Sequence, residues 1–254
     1  MVAVAIDPGI FKAYDVRGVY GEELDEDVAY RIGRAFARVL AAEYDVPTTK
    51  LRVGLGRDMR LTAPRMADRY KDGITDEGSE VMDIGMVGTE MLYFAVGARE
   101  LDGGLMCSAS HNPKQYTGAK LVRRGAIPLS GDSGIDELSR IVLEASFPAP
   151  TQPPGVVWEE DVYEDFHAAV IKFIDPGAVS PTKVVLDGGN GMAGPMAGPV
   201  LDRLPLEQVR TYWTPDGSFP DHEPNPLLPE NRAFVIDKVL SEGADLGIAV
   251  PGDA

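Results

Sequence analysis

The chain has 254 residues, and its 24 Lys and Arg against 40 Asp and Glu leave a formal charge of −16 at pH 7. This excludes binding driven by attraction to nucleic acid or to an anionic membrane face, both of which would be repelled. Hydrophobic residues at 44% and charged residues at 25% are the proportions of a globular protein with a packed core, of a length that suits one to two domains.

In chain order, Met1 to Ile10 reaches Asp7 and Pro8 before a signal-peptide core forms. No run of about 18 uncharged apolar residues follows, and the single Cys107 makes no internal disulfide. The expected compartment is a reducing cytoplasm. Asp25 is placed to cap a helix to about Tyr44, whose Val28, Ile32, Phe36 and Val39/Leu40 recur every three or four residues. Leu51–Gly56 reads as a strand, Thr62 as the cap of a helix with Pro64 in its first turn, and Glu80–Ile84 as a strand. Thr89 opens a helix around Met91–Phe94, and Gly103–Ser108 and Gly118–Arg123 read as strands before a helix at Ile135–Ala145.

Residues 146–155, with four prolines in ten positions, read as a linker between domains at 1–147 and 155–254. The second domain repeats the rhythm, with helices at Glu159–Ile174, after Gly194 and at Glu230–Glu242, and strands at Lys183–Asp187, near Gln208–Trp213 and at Asp245–Val250. Strands alternating with helices predict α/β architecture: two consecutive three-layer domains with mostly parallel sheets and ligand loops beyond the carboxyl ends of the strands. The last strand runs into Pro251-Gly252-Asp253-Ala254, so the second domain is expected to be incomplete at its C-terminus.

The sharpest local signal is Cys107-Ser108-Ala109-Ser110-His111-Asn112-Pro113, followed by Tyr116, Gly118 and Lys120. A strand of small residues ends there in a turn that exposes Ser110 as a nucleophile or phosphate carrier, or as an ordinary turn serine. A hydrolase triad is disfavoured, because His111 adjoins the serine and no G-x-S-x-G elbow is present. Tyr14-Asp15-Val16-Arg17-Gly18 and Gly56-Arg57-Asp58-Met59-Arg60 each set arginine beside glycine in a loop, where a guanidinium can grip phosphate; Asp15–Arg17 and Asp58–Arg60 can also satisfy themselves.

Gly189-Asn190-Gly191-Met192-Ala193-Gly194, after a strand ending in Asp187, fits the dinucleotide pattern G-x-G-x-x-G, but Asp187 would face the pyrophosphate and Pro195 and Pro199 interrupt the helix, so a tight turn packing helix on strand is the better reading. Asp221-His222-Glu223 reads as a solvated acidic loop rather than a metal site. Asp253, beside Gly252 at a strand end, better suits Mg²⁺.

These pieces together resemble the α-D-phosphohexomutases, the family of bacterial phosphomannomutase and phosphoglucomutase. The matching stretches are Tyr14–Gly18, Gly56–Arg60, Ser108–Pro113 with Gly118-Ala119-Lys120, Asp187–Gly191, and Asp216-Gly217-Ser218-Phe219-Pro220 leading to Pro224-Asn225-Pro226. Family proteins have four domains, so the resemblance implies the first and most of the second here. It implies that Ser110 holds a transferable phosphoryl group, with Arg17, His111 and Lys120 as its active-site neighbours. Tyr14, Arg17, Arg57, Asn112 and Lys120 would bind substrate or phosphate. The metal loop of the family reads D-G-D-x-D-R. Asp253 aligns with its second aspartate and Pro251 stands at its first, so Ser110 and Asp253 are the expected Mg²⁺ ligands.

The implied reaction moves phosphate between C6 and C1 of mannose or glucose phosphate through a hexose 1,6-bisphosphate, which also serves as activator. With part of the cleft missing, the chain alone is expected to turn over slowly or not at all. Two other classes stay open: a nicotinamide-dependent oxidoreductase using Gly189–Gly194, and a non-catalytic module binding sugar phosphates through the arginine loops.

Overall fold

Asp25 accepts a hydrogen bond from the Val28 amide at 2.9 Å and opens the longest helix, Glu26–Tyr44, whose Val28, Ile32, Phe36, Val39 and Leu40 are all buried. A side-chain oxygen on one of the orphan amides and one apolar stripe are what a surface helix needs. The computed structural model describes residues 6–253. Its strands are β1 (Asp15–Val19), β2 (Arg52–Arg57), β3 (Glu80–Met86), β4 (Gly103–Cys107), β5 (Tyr116–Arg123), β6 (Ile127–Pro128), β7 (Val157–Glu159), β8 (Thr182–Asp187), β9 (Leu206–Thr211) and β10 (Leu246–Ala249). Its helices are α1 (Glu26–Tyr44), α2 (Ala63–Asp76), α3 (Thr89–Ala98), α4 (Ile135–Glu144), α5 (Tyr163–Ile171), α6 (Ala193–Leu201) and α7 (Pro229–Glu242).

The first sheet runs β1-β5-β4-β2-β3-β7, with β6 beside β5; the second runs β10-β8-β9. Among the described residues five of the eight strand pairings are parallel, and the antiparallel ones all involve β5. Side chains alternate between the faces of a strand, and the first sheet sorts them cleanly. Val53, Leu55, Leu105, Cys107, Ala119 and Leu121 pack with α1, α2 and α4 on one face. Met82, Ile84, Met106 and Val122 pack with α3 on the other, in a cluster that also takes in Met192 and Met196 from the second unit. The expected α/β layering is therefore present, and the two units share apolar packing.

Three local expectations change. Arg17 lies in β1 rather than in a loop, because Asp15–Val19 pairs antiparallel with Tyr116–Lys120. The helix expected from Glu159 starts at Tyr163, and the preceding Val157–Glu159 forms β7, a parallel edge strand on β3. Residues on the second-domain side of the sequence border thus complete the first sheet. Thr62 stands at the start of α2 but makes no side-chain cap.

The proline-rich stretch is strapped down rather than loose. Phe147 lies under the guanidiniums of Arg34 and Arg38 at 4.8 and 5.1 Å, Arg34 donates to the Pro148 carbonyl at 2.9 Å, and the Thr151 and Gly155 amides donate to the carbonyls of Asp76 and Thr75. No helix among the described residues is long and apolar enough to cross a membrane.

Candidate active site

Strand β4 is buried along its whole length, as a central strand of small and apolar residues must be, and the chain turns immediately after Cys107. In that turn Ser110 adopts φ 53°, a left-handed conformation unusual for a residue with a Cβ. Its amide donates to Ser108 Oγ at 2.9 Å, which fixes the hydroxyl at the tip of the loop, partly exposed.

Opposite it stands Asp253, 2% exposed, delivered by the segment after β10. Asp253 Oδ1 accepts from Ser110 Oγ at 2.8 Å. Its Oδ2 accepts from Lys120 Nζ at 2.6 Å, Thr89 Oγ1 at 2.8 Å and Ser108 Oγ at 3.1 Å. The Thr89 amide at the start of α3 also donates to the Asp253 carbonyl at 2.9 Å. Burial acts to raise the Asp253 carboxyl, but the Lys120 charge and the hydrogen bonds from Lys120, Thr89 and Ser110 outweigh it and hold the group below the usual carboxylate range. Burial likewise acts against the Lys120 ammonium, and the Asp253 charge overrides it and raises that group. The Ser110 hydroxyl is thereby held as a donor to a fixed anion.

The other expected residues distribute unevenly. His111 places Nδ1 3.5 Å from Ser110 Oγ. Arg17 shares a sheet face with Lys120, since β1 and β5 pair Asp15 with Lys120 and Arg17 with Gly118, but its Nε is held by Asp15 at 2.9 Å. Tyr14 is 67% exposed. Asn112 gives its side-chain amide to the Ala109 carbonyl at 2.7 Å, closing its own turn rather than pointing a donor outward.

Arg57 does not join the serine. It has the same parity in β2 as Val53 and Leu55 and so faces α2, where it lines a separate cavity of about 600 Å³ with Asp68, Lys71, Asp83, Glu159 and Tyr163. Lys120, paired with Met106, faces α3.

Two contributors went unread in the sequence. Thr89 registers there only as a helix opener, although its hydroxyl and amide both hold Asp253. Arg60 has Asp58 as a local partner in the sequence, yet it is 2% exposed and donates to the carbonyls of Ser110, Asn112, Pro113 and Tyr116 at 2.6 to 3.2 Å.

For Mg²⁺, the described residues offer Ser110 Oγ and a single carboxylate, Asp253, and contain no group of three or more His, Cys, Asp or Glu able to hold a metal. Mg²⁺ demands near-octahedral oxygen coordination, and the Lys120 ammonium already sits against Asp253 as its counter-cation. These residues alone do not fit the ion. Ala254, which follows Asp253 in the stretch that aligns with the opening of the metal loop, lies outside the described residues.

The glycine turn after β8 is a packing device. The amides of Gly189, Asn190, Gly191 and Met192 donate to Asp187 Oδ1, the Tyr212 carbonyl, the Gly188 carbonyl and the Gly252 carbonyl. A Cβ on Gly191 would lie 2.6 Å from the Gly252 oxygen, and one on Gly194 2.1 Å from the Trp213 oxygen. Four of the six amides of that run are thus spent on internal acceptors, and its glycines are packed against neighbouring backbone, which counts against the dinucleotide reading. Asp187 is buried and takes His222 Nε2 at 3.0 Å, while His222 Nδ1 meets the Glu223 carbonyl at 2.8 Å. His222 thus belongs to a structural tie.

Residues 8–149 match the model of phosphoglucomutase/phosphomannomutase alpha/beta/alpha domain I, and residues 161–254 that of alpha/beta/alpha domain II. The chain belongs to the phosphoglucomutase/phosphomannomutase family. Among its relatives it is 43% identical over 252 residues to a phosphomannomutase of Salmonella typhimurium strain LT2, covering 96% of this chain and 53% of that protein. It is 41% identical over 243 residues to a protein of Xanthomonas campestris named as phosphohexose mutases, covering 96% and 52%. A crystal structure of a phosphoglucomutase/phosphomannomutase family protein from Burkholderia thailandensis superposes with a TM-score of 0.87 at 37% identity, over 98% of this chain and 53% of that one. The chain thus spans about half the length of the curated relatives it matches.

Proposed function

We propose that this chain carries the phosphoryl-transfer half of a cytoplasmic phosphohexomutase, with Ser110 as the phosphate carrier between C6 and C1 of a mannose or glucose phosphate. The observation that carries the reading is the convergence of Ser110 Oγ, Lys120 Nζ and Thr89 Oγ1 on buried Asp253. An exposed hydroxyl oriented by an anion, with an ammonium fixed beside it, suits a chemistry that consists mostly of positioning and charge neutralisation. In the step proposed, the P–O bond to Ser110 Oγ breaks as a sugar hydroxyl oxygen bonds to phosphorus. The sugar hydroxyl's proton is returned to Ser110 Oγ, where in the structure it is donated to Asp253 Oδ1. Lys120 would steady the equatorial oxygens, and His111 and Arg17 would approach the same phosphate. The family resemblance implies Mg²⁺, which would supply further charge neutralisation when bound.

Incubation with glucose 1,6-bisphosphate followed by peptide mass spectrometry tests the reading. One phosphate on the peptide containing Ser110, absent in Ser110→Ala, is the expected result. Reproducible labelling of Ser108 instead, or no label in a chain extended to the length of the relatives that turns over substrate, overturns the assignment. In a chain of that length Arg17→Ala should lower kcat by one to two orders of magnitude with little change in Tm, since a charge-assisted contact to phosphate contributes about 1.5–3 kcal/mol.

A further inference from the structure

The serine loop is held from behind by one side chain that the mechanism above does not use. Arg60 is buried, and its two terminal nitrogens donate to four carbonyls of the loop: Nη1 to Pro113 at 2.9 Å and Tyr116 at 3.2 Å, Nη2 to Ser110 at 2.8 Å and Asn112 at 2.6 Å. Its Nε faces buried Asp58 Oδ2 at 3.3 Å, and Asp58 also accepts the Arg60 amide at 3.0 Å. A planar guanidinium with donors fixed in a fork can hold several carbonyls at set angles, which a lysine's point charge cannot.

The second unit closes on this arginine. The Phe219 ring lies 5.3 Å from the Arg60 guanidinium, and Gly217 forms a parallel bridge with Arg60 so close that a Cβ on Gly217 would sit 2.3 Å from the Met59 oxygen. Residues 216–220, the Asp-Gly-Ser-Phe-Pro segment, thus press on the residue whose guanidinium holds the Ser110 and Asn112 carbonyls.

We propose that Arg60 is a positioning residue for the Ser110 phosphoryl site and that the 216–220 loop clamps it, so that the seating of the second unit sets the geometry of the serine loop. This rests on the phosphoserine reading for its catalytic consequence and on contacts alone for its mechanical one. The two are separable by experiment.

Hydrogen–deuterium exchange and the initial rate of phosphate incorporation from glucose 1,6-bisphosphate are measured on the 254-residue chain and on Arg60→Lys and Phe219→Ala. In Arg60→Lys, exchange across residues 109–116 should rise at least tenfold while β2 and β4 stay protected. Phosphate incorporation should fall by about ten- to a hundredfold, the scale expected when a reacting group is displaced by about 1 Å. Phe219→Ala should show the same pattern at about two- to fivefold, and it decides the matter if Arg60→Lys does not fold. Unchanged exchange at 109–116, or an increase spread equally over β2 and β4, overturns the proposal. Absence of phosphate both on the wild-type chain and on a chain of the relatives' length that turns over substrate overturns the phosphoserine reading, and the exchange data then still decide whether Arg60 and Phe219 hold the loop.

Discussion

Two loops leave the carboxyl ends of parallel strands, 108–113 after β4 and 188–192 after β8, and they direct their polar atoms in opposite senses. In the first, the backbone carbonyls turn inward to Arg60 and a hydroxyl is left at the rim, tied to a buried anion. In the second, the amides turn inward to Asp187, Tyr212, Gly188 and Gly252, and nothing chemically active faces out. Each loop contains a non-glycine residue at positive φ, Ser110 at 53° and Asn190 at 57°. Backbone strain therefore does not distinguish a site from a brace. What distinguishes them is whether a reactive side chain remains after the backbone has been satisfied.

The largest effect expected to break this comparison comes from Lys120→Met. It leaves the carboxylate of Asp253 buried without its cation, at a cost of about 3 kcal/mol, read by guanidinium denaturation. Lys120→Met combined with Asp253→Asn should regain much of that loss. A single-variant cost below about 1 kcal/mol would show that Lys120 does not hold the anion.

Gly194→Ala tests the brace. Its methyl would be driven against the Trp213 carbonyl, so a loss of about 2 kcal/mol is expected by overpacking. Calorimetric titration of the wild type with NADH should give no binding heat. A bound dinucleotide would overturn the assignment of the second loop.

His222 sharpens the contrast through pH. The hydrogen bond to Asp187 raises its pKa above the ordinary 6.5, against the opposing effect of burial and with help from the Glu223 carbonyl. A group whose folded pKa is raised stabilises fully below its unfolded value and loses that contribution as pH rises through the folded one. The stability difference between wild type and His222→Phe should therefore be greatest near pH 6, at about 1.5 kcal/mol, and shrink by pH 9 in thermal denaturation. A pH-independent difference would remove the Asp187–His222 tie.

The smallest effect on stability is expected at the serine. Ser110→Gly relieves the left-handed conformation, so stability should change by less than about 1 kcal/mol, while phosphate incorporation vanishes.

The sequence exposed those parts of the molecule whose cause is local. Asp25 announces α1 because a cap and an apolar stripe lie within one stretch, and Ser110 announces itself because a buried strand ends in turn residues. Thr89 and Arg60 stayed hidden because their partners are distant in the chain: Thr89 meets Asp253 across 164 positions, and Arg60 meets the Ser110 carbonyl across 50. Arg60 was further masked by Asp58, a plausible partner two residues away. Arg57 misled for the opposite reason. It sits in the same motif as Arg60, but strand alternation turns it to the α2 face. The strand Val157–Glu159 is not legible, and Glu159 reads as the start of a helix, because its strand character depends on β3 being there to receive it.

That small strand also governs how the protein can be divided or recombined. The covalent border suggested by the proline run and the hydrogen-bonded border differ by about a dozen residues, since the Glu160 amide still donates to the Asp83 carbonyl at 3.0 Å. A truncation ending at 147 would strip β7 from β3 and bare a parallel edge at Val81, Met82 and Asp83, an invitation to strand addition by other chains. A chimera that exchanges the second unit between homologues would keep both sheets whole only if its crossover fell beyond Glu160.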